Sequence, residues 1–153
     1  MTARAQIEKL TNTWYGYHAF MAIVGLVLGF TTSVSSGVSS LFDLSLLGVV
    51  ASGVFGIFSA VMTVGWLVIT LALTAFFGNR LLNKSGFWRL FLMLFSAVFI
   101  FFGVLGVLTN AWGFLGAWSL AKLFALGASA MNVYMLWTSW KVLTSSEVKS
   151  YFA

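Results

Sequence analysis

The chain has 153 residues and no cysteine; 61% of its residues are hydrophobic, only 7% are charged, and its formal net charge is +5. Because a soluble domain carries about a quarter charged residues, this sequence cannot cover a water-exposed surface, and its mean hydropathy of +1.02 is typical of an integral membrane protein. The composition excludes a disulfide scaffold and a cysteine-ligated metal site, and the single histidine, His18, excludes haem held between two histidines of one chain.

Two long intervals of the sequence, 10–79 and 90–140, hold one formal charge each, Asp43 and Lys122. A helix needs about 20 apolar residues to cross about 30 Å of hydrocarbon. Each interval is therefore too long for one crossing and long enough for two. We predict four transmembrane helices, over about residues 14–36, 55–77, 87–108 and 115–143.

The connections between these helices are short and rich in small or polar residues, at 34–40, 78–86 and 109–113. Gly78 suits the C-terminus of a helix, and Ser85 suits the N-cap of the next one. Short connections make successive helices antiparallel neighbours. The sequence therefore predicts an all-α integral membrane protein, a single domain of four transmembrane helices in an up-down antiparallel bundle. The apolar stretch 41–54 is either the start of a long second helix or an interfacial segment.

The basic residues predict the orientation of the chain. Apart from Lys122, they lie before the first span, around the second connection, and at or after the end of the fourth span, as Arg4, Lys9, Arg80, Lys84, Arg89, Lys141 and Lys149. An even number of spans puts these three regions on one side, and the positive-inside rule makes that side cytoplasmic. We therefore predict a multi-pass protein with both termini in the cytoplasm or its topological equivalent.

The residues at the ends of the spans suit contact with lipid headgroups. Trp14 at the inner end of the first span and Trp112 at the outer side are amphipathic rings of the kind that prefers the headgroup level. Arg80, Lys84 and Arg89 form a basic patch at the inner leaflet, where each base near the surface attracts anionic lipid. We expect these three side chains to contact anionic headgroups.

Small residues recur at every fourth position in three of the helices, which places them on one face of each helix. Such rows let backbones approach closely, and close approach is what holds helices together in lipid. We therefore predict helix packing, within the bundle or against another protein, at Gly25, Gly29, Ser33 and Gly37 of the first helix, at Gly48, Ser52 and Gly56 of the second, and at Ala117, Ala121, Ala125 and Ser129 of the fourth.

The third helix carries phenylalanine at the same spacing, as Phe87, Phe91, Phe95 and Phe99. We interpret this row as a lipid-facing or interhelical packing surface. A pigment or quinone site is the alternative interpretation, although no ligating or hydrogen-bonding residue accompanies the row in the sequence.

The sequence also allows predictions for three polar residues outside the basic patch, which are Asp43, Lys122 and Asn132. Lys122 falls near the outer boundary of the hydrocarbon, where it is expected to pair with Asp43, the sole acid on that side, or to reach the outer headgroups. Asn132 is expected to make an interhelical hydrogen bond. Contact with a substrate is the alternative for Asn132.

The sequence does not contain the residues of a catalytic site. No pair of carboxylates lies within the spans, and Asp43 and His18 fall on opposite sides of the membrane, so no Ser/His/Asp set can form. No nucleotide-binding motif is present either. We therefore expect no catalytic, cofactor or metal site and no nucleic-acid partner.

The leading functional hypothesis is a non-catalytic accessory, assembly or scaffolding subunit of a larger membrane complex, or a homo-oligomer. Its partners would be membrane lipids, including anionic headgroups, and other membrane protein subunits or copies of itself. The first alternative is an oligomeric pore or small transporter lined by Lys122, Ser129 and Asn132, which roughly share one helix face. The second is a lipid-modifying enzyme.

Overall fold

The computed structural model describes the backbone of residues 2–42 and 46–153, and the side chains of all of these residues except 30–42, 46–51 and 120. Within these ranges the chain forms helices and no strand, so the predicted all-α class is confirmed. The helices are α1 (Ala3–Phe42), α2 (Leu46–Leu82), α3 (Gly86–Gly116), α4 (Leu120–Thr144) and α5 (Ser146–Tyr151).

Two stretches of the described chain are long and apolar enough to cross a membrane. They are Ser52–Leu82 within α2 and the whole of α3, Gly86–Gly116, and each has 31 residues. Their apolar side chains lie almost entirely on the outside, since 0% and 6% of the most apolar parts of the two stretches are buried. Both helices therefore present apolar surface outward instead of burying it in a core.

The first three helices are longer than the sequence predicts, whereas the fourth is shorter, with 25 residues. The helix α1 continues through 34–40, where we expected a turn, because neither serine nor an isolated glycine ends a helix by itself. The helix α2 begins at Leu46, in agreement with the long second helix that was one of two alternatives for 41–54.

The reversal between α3 and α4 lies at 117–119, and the prediction of a turn at 109–113 is wrong. Thr109, which we placed in that turn, donates its hydroxyl to the carbonyl oxygens of Leu105 and Gly106 at 3.1 and 3.0 Å. Its polar group is therefore satisfied within the helix. With no proline in the chain, nothing forces the helix to stop there.

The turn between α2 and α3 has the geometry of a Schellman motif. Lys84 N donates to Leu81 O and Ser85 N donates to Arg80 O, both at 3.1 Å, which satisfies the last carbonyls of α2. The left-handed position of this motif is occupied by Lys84, with φ of 57°, and not by a glycine. Gly78 lies inside α2 and not at its end. Ser85 is the N-cap residue of α3 as predicted, but its side chain makes no capping hydrogen bond.

The described chain divides into two compact units, residues 1–14 with 74–153, and residues 15–73. In the first unit α3 and α4 run antiparallel, since Gly103 lies against Val133 while Gly113 lies against Lys122 further along. The second unit contains parts of α1 and α2, which also pack against each other.

Candidate functional site

The first unit has a small core that joins four segments of the chain, and we call it the terminal core. It consists of Ile7 from α1, Leu81 from the end of α2, Leu143 from α4, Val148 from α5, and Leu10, all of them at most 6% exposed. The hydrophobic effect drives such burial where water is present, whereas lipid offers helices no comparable driving force. An apolar core at this end is therefore consistent with a part of the molecule that faces water.

Two bases of the predicted basic patch are held by the C-terminal segment. The Lys84 ammonium lies 5.0 Å from the ring centre of Tyr151, and the Arg89 guanidinium lies 5.7 Å from that of Phe152. Arg89 Nε also donates to Leu143 O at 3.0 Å. These cation–π contacts and the hydrogen bond fix both side chains against protein atoms.

Arg80 differs from these two bases. Its guanidinium lies 5.2 Å from the ring centre of Phe76, on its own helix, and it is exposed. Within the described ranges the one ion pair is Arg4 with Glu8, at 3.0 Å, so no carboxylate neutralises Arg80 there. The hydrogen bond to Glu8 raises the pKa of Arg4, which is fully exposed.

Trp14 makes a contact that the sequence did not indicate. Its indole Nε1 donates to Ser139 Oγ at 2.8 Å, and Ser139 Oγ in turn donates to Met135 O at 2.9 Å. Ser139 is buried. We predicted that Trp14 contacts lipid headgroups, but its polar atom binds a buried serine, because an indole N–H needs a partner once it is removed from water.

In the second unit two glycines of the first small-residue row lie close to α2. A Cβ added at Gly29 would lie 2.8 Å from Ser59 Oγ, and one added at Gly25 would lie 3.4 Å from Thr63 Cγ2. A larger side chain at Gly29 would therefore require the Ser59 side chain to move. Ser33, Gly37 and Gly48 lie outside the residues whose side chains are described. Ser52 and Gly56 are half-buried.

The small-residue row predicted for the fourth helix does not lie on one helix. Ala117 is the C-cap residue of α3 and precedes the reversal, whereas Ala121, Ala125 and Ser129 belong to α4. Ala121 and Ala125 are exposed, and the Ser129 hydroxyl donates to Leu126 O of its own helix at 2.9 Å. Packing of this row against a partner stays a prediction.

The structure adds two close approaches that the small-residue rows did not include. A Cβ at Gly78 would lie 2.7 Å from Thr11 Cγ2, and a Cβ at Gly103 would lie 2.7 Å from Val133 Cγ2. Gly78 thus allows α1 and α2 to approach within the first unit, and Gly103 does the same for α3 and α4. In the sequence Gly103 follows Phe99 at the four-residue spacing of the phenylalanine row. It has no row of small residues around it, and therefore the sequence did not indicate a close helix contact at this position.

Lys122 binds a backbone carbonyl oxygen of α3 through its ammonium group. Its Nζ donates to Gly113 O at 3.0 Å, in the last turn of α3, and its backbone N donates to the capping hydroxyl of Ser119. A cation is favourable at the carboxyl end of a helix, where unpaired carbonyls concentrate negative charge. Asp43 lies outside the described residues, so its pairing with Lys122 stays a prediction. Asn132 is half-buried, and its interhelical hydrogen bond also stays a prediction.

Aromatic side chains of α2 and α3 form a continuous surface that we call the ring row. Phe77 stacks on Phe91, Phe91 on Phe95, and Phe95 on Phe99, with ring centres 6.2, 6.2 and 4.1 Å apart. Trp88 meets Phe91 at 5.6 Å and Phe76 at 5.2 Å. The members of the ring row are Phe76, Phe77, Trp88, Phe91, Phe95 and Phe99.

The part of the chain that the structure describes has no group of three or more His, Asp or Glu side chains that could hold a metal ion. No protein-family model matches the chain, and no curated protein and no solved structure is significantly similar to it. Among the described residues the features that bear on function are therefore the helix packing, the terminal core and the exposed Arg80 beside apolar rings.

Proposed function

We propose that the chain is an integral membrane protein with four transmembrane helices in an up-down bundle and both termini in the cytoplasm. It acts as a non-catalytic accessory, assembly or scaffolding subunit of a larger membrane complex, or as a homo-oligomer.

The observation that carries this proposal is the uncovered apolar surface of the long helices. Side chains such as Ile57 at 70% and Leu94 at 61% are largely exposed. In water each Å² of such surface costs about 25 cal/mol, whereas lipid removes that cost. A helix of 31 residues is about 46 Å long at 1.5 Å per residue, enough to cross about 30 Å of hydrocarbon and extend into the headgroup region.

The terminal core supports a shared side for the two termini. Ile7 and Leu10 from the start of the chain pack with Leu143 and Val148 from its end. Arg80 and Lys84 lie in the turn region that contributes Leu81 to the same core. The positive-inside rule then assigns this basic end to the cytoplasm.

The contacts of Lys122 weigh against the pore alternative. A lysine that lines an ion path would present its ammonium to the path, but the Lys122 ammonium is bound to the Gly113 carbonyl oxygen. The accessory function instead takes support from the exposed small residues of α4, Ala121 and Ala125, because small residues are typical of surfaces where membrane helices meet.

The test is the composition of the native assembly after extraction in a mild detergent. We expect the tagged chain to co-purify either with unlike membrane subunits in a fixed ratio or with copies of itself. The matched variants are Ala125→Leu, on the exposed small-residue face, and Leu123→Ile, which leaves that face unchanged. Ala125→Leu should reduce the yield of the assembly, and Leu123→Ile should not.

A chain that stays monomeric in the mildest detergents and in lipid nanodiscs would contradict the subunit function. An assembly that conducts ions across a planar bilayer, with conductance lost in Lys122→Met, would favour the pore instead.

A further inference from the structure

Arg80 and the ring row meet at one end of the α2–α3 hairpin. The guanidinium lies over Phe76, Phe76 contacts Trp88, and the rings then continue along α3 to Phe99. A positive charge and a long apolar surface are therefore continuous with each other. This is the combination of properties that complements an amphiphile with an anionic head and an apolar tail.

We propose that this surface binds one anionic phospholipid of the cytoplasmic leaflet, with its phosphate on Arg80 and an acyl chain along the ring row. The inference rests on the proposed membrane function and deepens it. It specifies one site for one lipid molecule, which differs from the general attraction of a basic surface to anionic lipids.

Arg80 is the base of the patch that makes no contact with the C-terminal segment. Arg89 donates its Nε to Leu143 O, and the Lys84 ammonium lies over the ring of Tyr151. Arg80 is exposed beside Phe76 and makes no ion pair within the described residues, so its guanidinium N–H groups can donate to a phosphate. Two such N–H groups bind a phosphate in a bidentate manner, which a lysine cannot do.

The ring row has the length of one leaflet. From Trp88 to Phe99 the chain rises about 16 Å at 1.5 Å per residue, and half of the hydrocarbon thickness is about 15 Å. The rings are also open to a ligand, since Phe91, Phe95 and Phe99 are 42%, 41% and 45% exposed. An acyl chain that follows these rings would therefore run from the headgroup level to the middle of the membrane.

The experiment measures binding of phosphatidylglycerol and phosphatidylcholine to the detergent-purified full chain by native mass spectrometry. Arg80→Gln should weaken phosphatidylglycerol binding about tenfold, which equals about 1.4 kcal/mol. Lys149→Gln is the matched control, because Lys149 is an exposed base of the same unit with no cation–π contact to the rings of the described residues, and it should bind as the wild type does.

A second pair of variants tests the acyl contact. Phe95→Leu should weaken phosphatidylglycerol binding about threefold, the loss expected for one aromatic contact. Phe101→Leu should have no effect, because Phe101 is 63% exposed on α3 but lies outside the ring row. Excess inorganic phosphate should not displace the lipid, since it cannot replace the acyl contact.

Three results would overturn the site: equal losses in Arg80→Gln and Lys149→Gln, equal binding of phosphatidylcholine and phosphatidylglycerol, or displacement by inorganic phosphate. They would indicate a diffuse charge effect, a non-selective surface and a free-anion site, respectively. Release of the wild-type chain from membranes by alkaline carbonate is a separate outcome, which would contradict the membrane function itself. A chain that resists carbonate while Arg80→Gln binds lipid normally would refute the lipid site alone.

Discussion

The ammonium group of Lys122 binds the carboxyl end of a neighbouring helix and needs no acid to do so. Its acceptor, Gly113 O, lies in the last turn of α3 and also accepts from the backbone N of the C-cap residue Ala117 at 3.3 Å. This interaction secures the reversal between α3 and α4. The sequence could not reveal it, because the acceptor is a backbone atom and because the end of α3 had been placed at about residue 108.

At the residue scale we predict that Lys122→Met destabilises the protein by about 1 kcal/mol, the value of a cation near a helix C-terminus. Lys9→Met removes the same charge from an exposed residue that is not in the last turn of its helix, and it should change the stability little. Thermal unfolding of both variants in one detergent measures the difference. Equal effects of the two substitutions would mean that the bond to Gly113 O contributes nothing.

At the scale of the helices, the main question is where two helices approach each other closely. The four-residue spacing drew attention to Gly25 and Gly29, and both lie near side chains of α2. It missed Gly103, whose neighbours at that spacing include Phe99. A periodic pattern detects a row of small residues, but a single glycine opposite one valine leaves no pattern. The helix ends were hard to predict for a related reason, since without proline the polar residues at 34–40 and 109–113 stay helical.

At the scale of the element, Gly103→Leu should destabilise the α3–α4 pair by about 1–3 kcal/mol, because its side chain would overlap Val133. Gly106→Leu is the matched control, since a Cβ at Gly106 meets nothing within 4 Å. In detergent we expect Gly106→Leu to unfold at the same temperature as the wild type and Gly103→Leu to unfold at a lower temperature. If the two variants unfold at the same temperature, the close contact between Gly103 and Val133 does not determine the stability of the α3–α4 pair.

For the whole molecule, the sequence was sufficient to predict an all-α chain, and two of its helices are long and apolar enough to cross a membrane. It could not predict the terminal core, whose members Ile7, Leu81 and Val148 come from segments far apart in the sequence. Contacts between residues so far apart in the sequence are determined by tertiary packing, and no local sequence pattern predicts them. The sequence predicted the basic patch as a single group, but Lys84 and Arg89 contact the C-terminal segment, whereas Arg80 contacts Phe76 on its own helix.

At the scale of the whole molecule we predict that both termini lie on the cytoplasmic side of the membrane. Reporters fused after Leu10 and after Ala153 should both be active in the cytoplasm, because the basic regions favour that side. A reporter fused after Ser40 should be active on the opposite side. Opposite locations of the two termini would mean an odd number of crossings and would contradict the four-span arrangement.

The terminal core also bears on the order in which the protein is made. Ile7 and Leu10 leave the ribosome before every other member of this core, and Leu143 and Val148, which pack against them, leave it more than 130 residues later. Every helix must therefore be synthesised before this core can close. Until then the apolar side chains near the start of the chain stay open to chaperones and proteases. Closure of the core thus requires translation past Val148, and nascent chains that stop before Leu143 cannot close it.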